Sequence, residues 1–165
     1  MSKPPSTPSR VHSVDFLDCD LSANSMAKTA NILLPCQPEL GVFFDGANFF
    51  AHCRMKYDYM DVITYTCQSF VGCPIVRRLI IGVSHISQRT NVSCKPLSGY
   101  KSFAGLHTKL YLGYRGGLKS AYVGSHNLVT PTLCEVIVRT NPQQMVFLAQ
   151  YFEALWADKE ARVKK

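Results

Sequence analysis

A small set of residues in the second half of the chain carries side chains suited to work on a phosphate. His107 and Lys109 stand two apart, and further on Gly124, Ser125, His126 and Asn127 form a continuous run. A lysine brings a fixed positive charge, and serine and asparagine bring neutral donors. A glycine marks a point where the backbone turns or approaches something closely. Histidine adds a nitrogen nucleophile or base whose proton exchange falls near neutral pH. In a strand over 106–112, side chains alternate between faces, so His107 and Lys109 are expected on one face and Leu106, Thr108 and Leu110 on the other.

The elements that must position these residues are legible to different degrees. Strands are expected over 120–125 and 135–139, and a nearly continuous apolar run over 78–84 suits the centre of a sheet covered on both faces. Residues 61–70 are rich in β-branched and aromatic types until Gly72 and Pro74 break the run, which predicts another strand. Around Asp45-Gly46-Ala47-Asn48 the pattern suggests a strand, a turn and the start of a further element. Asp45 reads there as a turn residue rather than a catalytic carboxylate. Residues 87–102 read as a loop or broken helix. At the end, Asn141 is a plausible N-cap before Pro142, and Met145, Leu148, Phe152, Leu155 and Trp156 recur at helical spacing, predicting an amphipathic helix over the sheet.

Composition bounds the rest. The 165 residues suit one domain, which buries roughly 70% of its unfolded surface. Residues 1–30, with Pro4, Pro5 and Pro8 among serines and threonines, read as a flexible arm, leaving 31–165 as the folded domain. Eighteen Lys and Arg against 11 Asp and Glu give a net charge of +7, which favours a polyanionic partner. The seven cysteines (19, 36, 53, 67, 73, 94 and 134) include no C-x-x-C pair. They are expected as reduced thiols in a cytoplasmic setting, with Cys67 and Cys134 as small buried hydrophobes. No apolar leader and no long apolar run is present, so neither secretion nor stable membrane association is expected. His12, His52 and His85 lack metal-ligand spacing and read as structural or surface residues.

The paired motifs His107-Thr-Lys109 and Gly124-Ser-His-Asn127 resemble the half-motif of the phospholipase D superfamily, H-x-K followed by G-S-x-N. The resemblance extends over about 65–156, with the 79–82 strand, Glu135 and the closing 152–156 helix also similar to family features. The compact spacing looks most like the nuclease and restriction-endonuclease members. One departure is Tyr114, where many members carry an Asp five residues after the Lys.

This resemblance implies an α/β fold, a mixed sheet flanked by helices with one half-site per chain. It implies a phosphodiesterase that needs neither metal nor cofactor, with His107 forming a phosphohistidine and the same residue of a second subunit acting as acid across a homodimer. Lys109 and Asn127 would neutralise phosphate oxygens, Ser125 would steady the loop, and Glu135 would orient the imidazole. Gly124 and His126 would border the substrate, His126 in a substrate-side or structural role. Nucleic acid is the expected partner, DNA ahead of RNA. A lipid phosphodiesterase and a non-catalytic nucleic-acid-binding module are the competing readings. Tyr100, Tyr111, Tyr114 and Tyr122 are candidates to stack on bases, though strand tyrosines more often serve packing.

Overall fold

The computed structural model describes residues 37–83, 94–131, 133–159 and 162–164; the expected N-terminal arm lies outside them. Strand β1 (Val42–Asp45) runs into helix α1 (Gly46–Lys56), and β2 (Tyr59–Thr64) and β3 (Val76–Val83) follow. Then come β4 (Tyr100–Ala104), β5 (Leu110–Tyr114), β6 (Leu118–Gly124), β7 (Leu133–Arg139), helix α2 (Pro142–Ala157) and β8 (Arg162–Lys164). All the strands join one sheet in the order β1-β7-β6-β5-β2-β3-β4-β8. β2 pairs with β3, and β3 with β4, in parallel; the remaining pairs are antiparallel.

Alternation along the central strands divides the core between two layers. Tyr111 and Tyr122 join Phe43, Phe49, Phe50 and Cys53 beneath α1. Leu110, Leu112 and Ala121 face the other way, against Phe152 of α2. The α2 start follows its sequence signature. Asn141 accepts from the Gln144 N–H at 2.8 Å, the Gln144 side chain returns a hydrogen bond to the Asn141 N–H, and Pro142 opens the helix.

Several expectations need correction. Asp45 is the N-cap of a helix: its carboxylate accepts from the Asn48 N–H at 2.7 Å. β2 ends at Thr64 rather than running on to Phe70. The supposed loop at 87–102 contains the start of β4, and the strand expected from 106 begins only at Leu110. Cys67 and Cys94 form a disulfide with their Cα atoms 6.3 Å apart, which removes the ground for expecting every cysteine reduced. Cys53 and Cys73 are free thiols, and burial pushes Cys73 up to about 11. Among the described residues no helix is long and apolar enough to cross a membrane.

A buried ion network fastens α2 to the sheet. Asp61, with no solvent exposure, accepts from Arg77 Nε at 2.9 Å and from Arg78 Nε at 3.1 Å. Arg78 also grips Glu153 of α2, at 2.9 and 2.6 Å. Burial pushes the Asp61 carboxyl up, but hydrogen bonds and charge from the two guanidinium groups outweigh it and hold the carboxyl below its ordinary range.

Candidate active site

The strand register brings both motif halves to one end of the sheet. Leu110 at the start of β5 stands opposite Ile63 of β2 and Val123 of β6, while Gly124 stands opposite Ile137 of β7. The residues leading into β5, those leaving β6 and β2, and Glu135 in the first half of β7 therefore lie together. The parallel strands β2 and β3 present their carboxyl ends on this side, where open α/β sheets place their ligand sites.

His107 and Lys109 precede β5, so strand alternation does not govern them. Their path is set by Gly82 of β3. A Cβ there would stand 1.9 Å from the Leu106 carbonyl oxygen and 2.8 Å from the Tyr65 ring, so only glycine lets the segment before His107 pass so close. The His107 side chain is exposed, and its imidazole lies flat on the Tyr65 ring, centroids 4.3 Å apart and planes inclined by 12°. Lys109 is half-buried, and its Nζ donates to the His107 carbonyl at 2.8 Å.

Asn127 is anchored by the loop that leaves β2. Its Oδ1 accepts from the Tyr65 N–H at 3.0 Å and the Thr66 N–H at 3.4 Å, with Thr64 Oγ1 at 3.1 Å. Leu128 N–H donates to Thr64 Oγ1 at 3.1 Å, and Gln68 N–H donates to the Leu128 carbonyl at 2.8 Å. Backbone donors fix which end of the amide is which, because an NH2 group facing them would pair donor with donor. The Nδ2 hydrogens are thus the end left to donate elsewhere. Tyr65 joins the two motif halves, its backbone holding Asn127 and its ring supporting His107.

Ser125 is exposed but engaged. Its hydroxyl donates to the Glu135 carboxylate and accepts from the Val136 N–H at 3.1 Å, tying the exit of β6 to β7. The absence of a side chain at Gly124 makes room for β7, since a Cβ would stand 2.2 Å from the Val136 carbonyl oxygen. His126 is corrected as a substrate contact. It is 1% exposed, its ring edge-on to Phe50 and so close to Gly46 that a Cβ there would come within 2.0 Å of Nε2. Tyr111 and Tyr122 are fully buried and cannot stack on a base. Among the described residues no group of three or more His, Cys, Asp and Glu is placed to hold a metal ion.

No family model and no curated protein matches the sequence. Among solved structures, the chain is similar to a phospholipase D family member, Nuc, from Salmonella typhimurium. The TM-score is 0.50 at 8% identity, covering 75% of this chain and 97% of that one. The fold is similar to that of this phospholipase D family member. A polyphosphate kinase from Porphyromonas gingivalis is also similar, with a TM-score of 0.49 at 11% identity over 70% of this chain; the chain spans only 22% of that protein.

Within the phospholipase D fold the departure at Tyr114 falls far from the site. Tyr114 closes β5 at the opposite end, about 13 Å of strand beyond Leu110. Its ring stacks on Tyr59 at 5.2 Å and lies 4.6 Å from the Arg77 guanidinium. Burial, then the Asp61 charge, pushes its hydroxyl up to about 12. The carboxylate of this neighbourhood is supplied by Asp61 from β2.

Sequence reasoning missed Thr64, Tyr65 and Gly82. Only Gly82 left a signal, a lone glycine inside an otherwise apolar strand, which marks a close backbone approach.

Proposed function

We propose that the protein is a phosphodiesterase that hydrolyses nucleic-acid phosphodiester bonds, DNA ahead of RNA, through a phosphohistidine on His107 and without a metal. The observation that carries this reading is the exposed His107 imidazole, held flat on the ring of Tyr65, whose backbone N–H together with that of Thr66 occupies the acceptor oxygen of Asn127. The net charge of +7 and the phospholipase D fold, shared with a family member named Nuc, support it.

In the first step an imidazole nitrogen of His107 attacks phosphorus, and the bond to the leaving oxygen breaks. That oxygen takes a proton from the His107 imidazole of a second copy of the chain, related by a two-fold axis. Water then attacks the phosphohistidine and gives its proton to the second imidazole, which restores both histidines and releases the phosphate monoester. Lys109 and the Asn127 Nδ2 group neutralise the phosphate oxygens, while Glu135 and Ser125 hold the loop and the imidazole in place.

The test is cleavage of plasmid and single-stranded DNA in excess EDTA by the wild type and His107→Ala, with sedimentation to establish that both are dimers. Cleavage by the wild type alone supports the proposal; dimers that bind DNA and never cut it overturn it.

A further inference from the structure

At the end of the sheet away from His107, the last turn of α1, the β5–β6 turn and the end of β7 enclose a cavity of about 600 Å³. Lys56, Arg115, Lys119 and Arg139 line it against one carboxylate, Glu39. Arg115 is partly neutralised by Asp58 at 3.3 Å, and Arg139 spends one N–H on the Glu39 carbonyl at 2.9 Å, keeping the rest of its donors. Among the described residues neither Lys56 nor Lys119 has a carboxylate partner.

The inner wall is polar and ordered. His52, 8% exposed, places Nε2 3.1 Å from the Tyr122 hydroxyl, which lies 2.6 Å from the Tyr57 hydroxyl. Burial, then the charges of Lys56 and Arg139, lowers the proton affinity of His52. The cavity therefore concentrates cations with little internal counter-charge, a situation that a bound anion relieves.

We propose that this cavity is a second phosphate-binding site, taking a non-scissile backbone phosphate of the nucleic acid whose scissile bond lies at His107. The strand part of this inference rests on the nuclease reading above. Lys119 and Ser125 lie on and just beyond β6, so the two sites are separated by about 20 Å of strand. With one phosphate of each strand per 3.4 Å of duplex axis, that separation, if it lies along the axis, corresponds to roughly six nucleotide steps.

The test follows the His52 imidazole resonances of the full chain by NMR as inorganic phosphate, then a short oligonucleotide, is added. Both ligands are expected to move them. In Lys56→Gln/Lys119→Gln, checked for folding by circular dichroism, binding weakens by roughly tenfold. The log–log salt slope of oligonucleotide binding flattens by about 0.7 to 0.9, the value for one lost phosphate contact. Hydrolysis of a small chromogenic phosphodiester, too short to span the two sites, stays at the wild-type rate. A His52 signal silent to both ligands overturns the site, and one that answers phosphate but not the oligonucleotide overturns its assignment to a strand. A signal that answers the oligonucleotide in a protein that never cleaves it upholds the site while the nuclease reading falls.

Discussion

The Asp61 network and the His107 end of the sheet use polar side chains in opposite ways. Asp61 is wholly buried and taken by two arginines, Arg78 turns its remaining donors to Glu153, and the guanidinium faces lie over Tyr59, Tyr114, Phe152 and Trp156. Each guanidinium nitrogen there meets an acceptor, so the cluster can hold strands and a helix together. At the other site two groups are anchored by one end only. Asn127 is held by its oxygen, and His107 by the face of its ring. Opposite satisfaction patterns separate groups that build the fold from groups poised to act.

Exchanging the effects of two substitutions is the sharpest way to break this contrast. His107→Ala is expected to lower cleavage on the order of 10⁴-fold. Its unfolding free energy should fall by no more than about 0.5–1.5 kcal/mol, the value of the lost stack on Tyr65, since the side chain is otherwise exposed. Asp61→Asn should do the reverse. Stripping a buried carboxylate from two arginines costs about 3–5 kcal/mol in urea unfolding, while cleavage per folded molecule is kept. A stable Asp61→Asn protein that has lost activity would sink the division.

The same carboxylate sets the acid limit. Asp61 titrates below its ordinary value in the folded chain, so it contributes stability that is fully present above about pH 4 and is lost as pH falls through its lower folded value. Glu153 is shifted the same way, by its hydrogen bond from Arg78, but is discounted because it is half exposed. Urea midpoints between pH 7 and pH 3 should fall less steeply for Asp61→Asn than for the wild type. Equal slopes would show that the network contributes nothing to acid unfolding.

Asn127 allows anchoring and action to be separated within one residue. Asn127→Ala leaves two backbone N–H groups without their acceptor and should cost about 1–3 kcal/mol as well as activity. Asn127→Asp keeps an acceptor for those groups and replaces the Nδ2 donor with a negative charge. It should fold with a loss below about 1 kcal/mol yet cleave at least as poorly. If thermal melts place the Asp variant below the Ala variant, the assigned orientation of the amide is wrong.

Much of this was legible from residue type and spacing. The H-x-K and G-S-x-N runs survive as letters, β6 and β7 follow their β-branched and aromatic patterns, and α2 announces itself through Asn141, Pro142 and Gln144. What was hidden has physical reasons. Asp45 suits a turn and a helix N-cap equally well, so α1 could not be told from a loop. The strand pattern over 106–112 gives no hint that Gly82, distant in sequence, draws the chain across the end of β3 before pairing begins. The Cys67–Cys94 pair carries no spacing signature. Asn127 is held chiefly by backbone N–H groups, which every residue but proline possesses.

Tyr65 is the smallest and most discriminating case, because its backbone serves Asn127 while its ring serves His107. Tyr65→Leu keeps the N–H that Asn127 accepts, so the loop should stay within about 1 kcal/mol of wild-type stability. It removes the stacked face, worth about 0.5–1.5 kcal/mol, and leaves the imidazole free to turn. Cleavage should fall by roughly twofold to tenfold, the rate equivalent of that energy. Tyr65→Phe keeps the ring and should restore the wild-type rate. If Phe is as slow as Leu, the hydroxyl rather than the stacked face is what the site requires, and the ring's support of His107 is incidental.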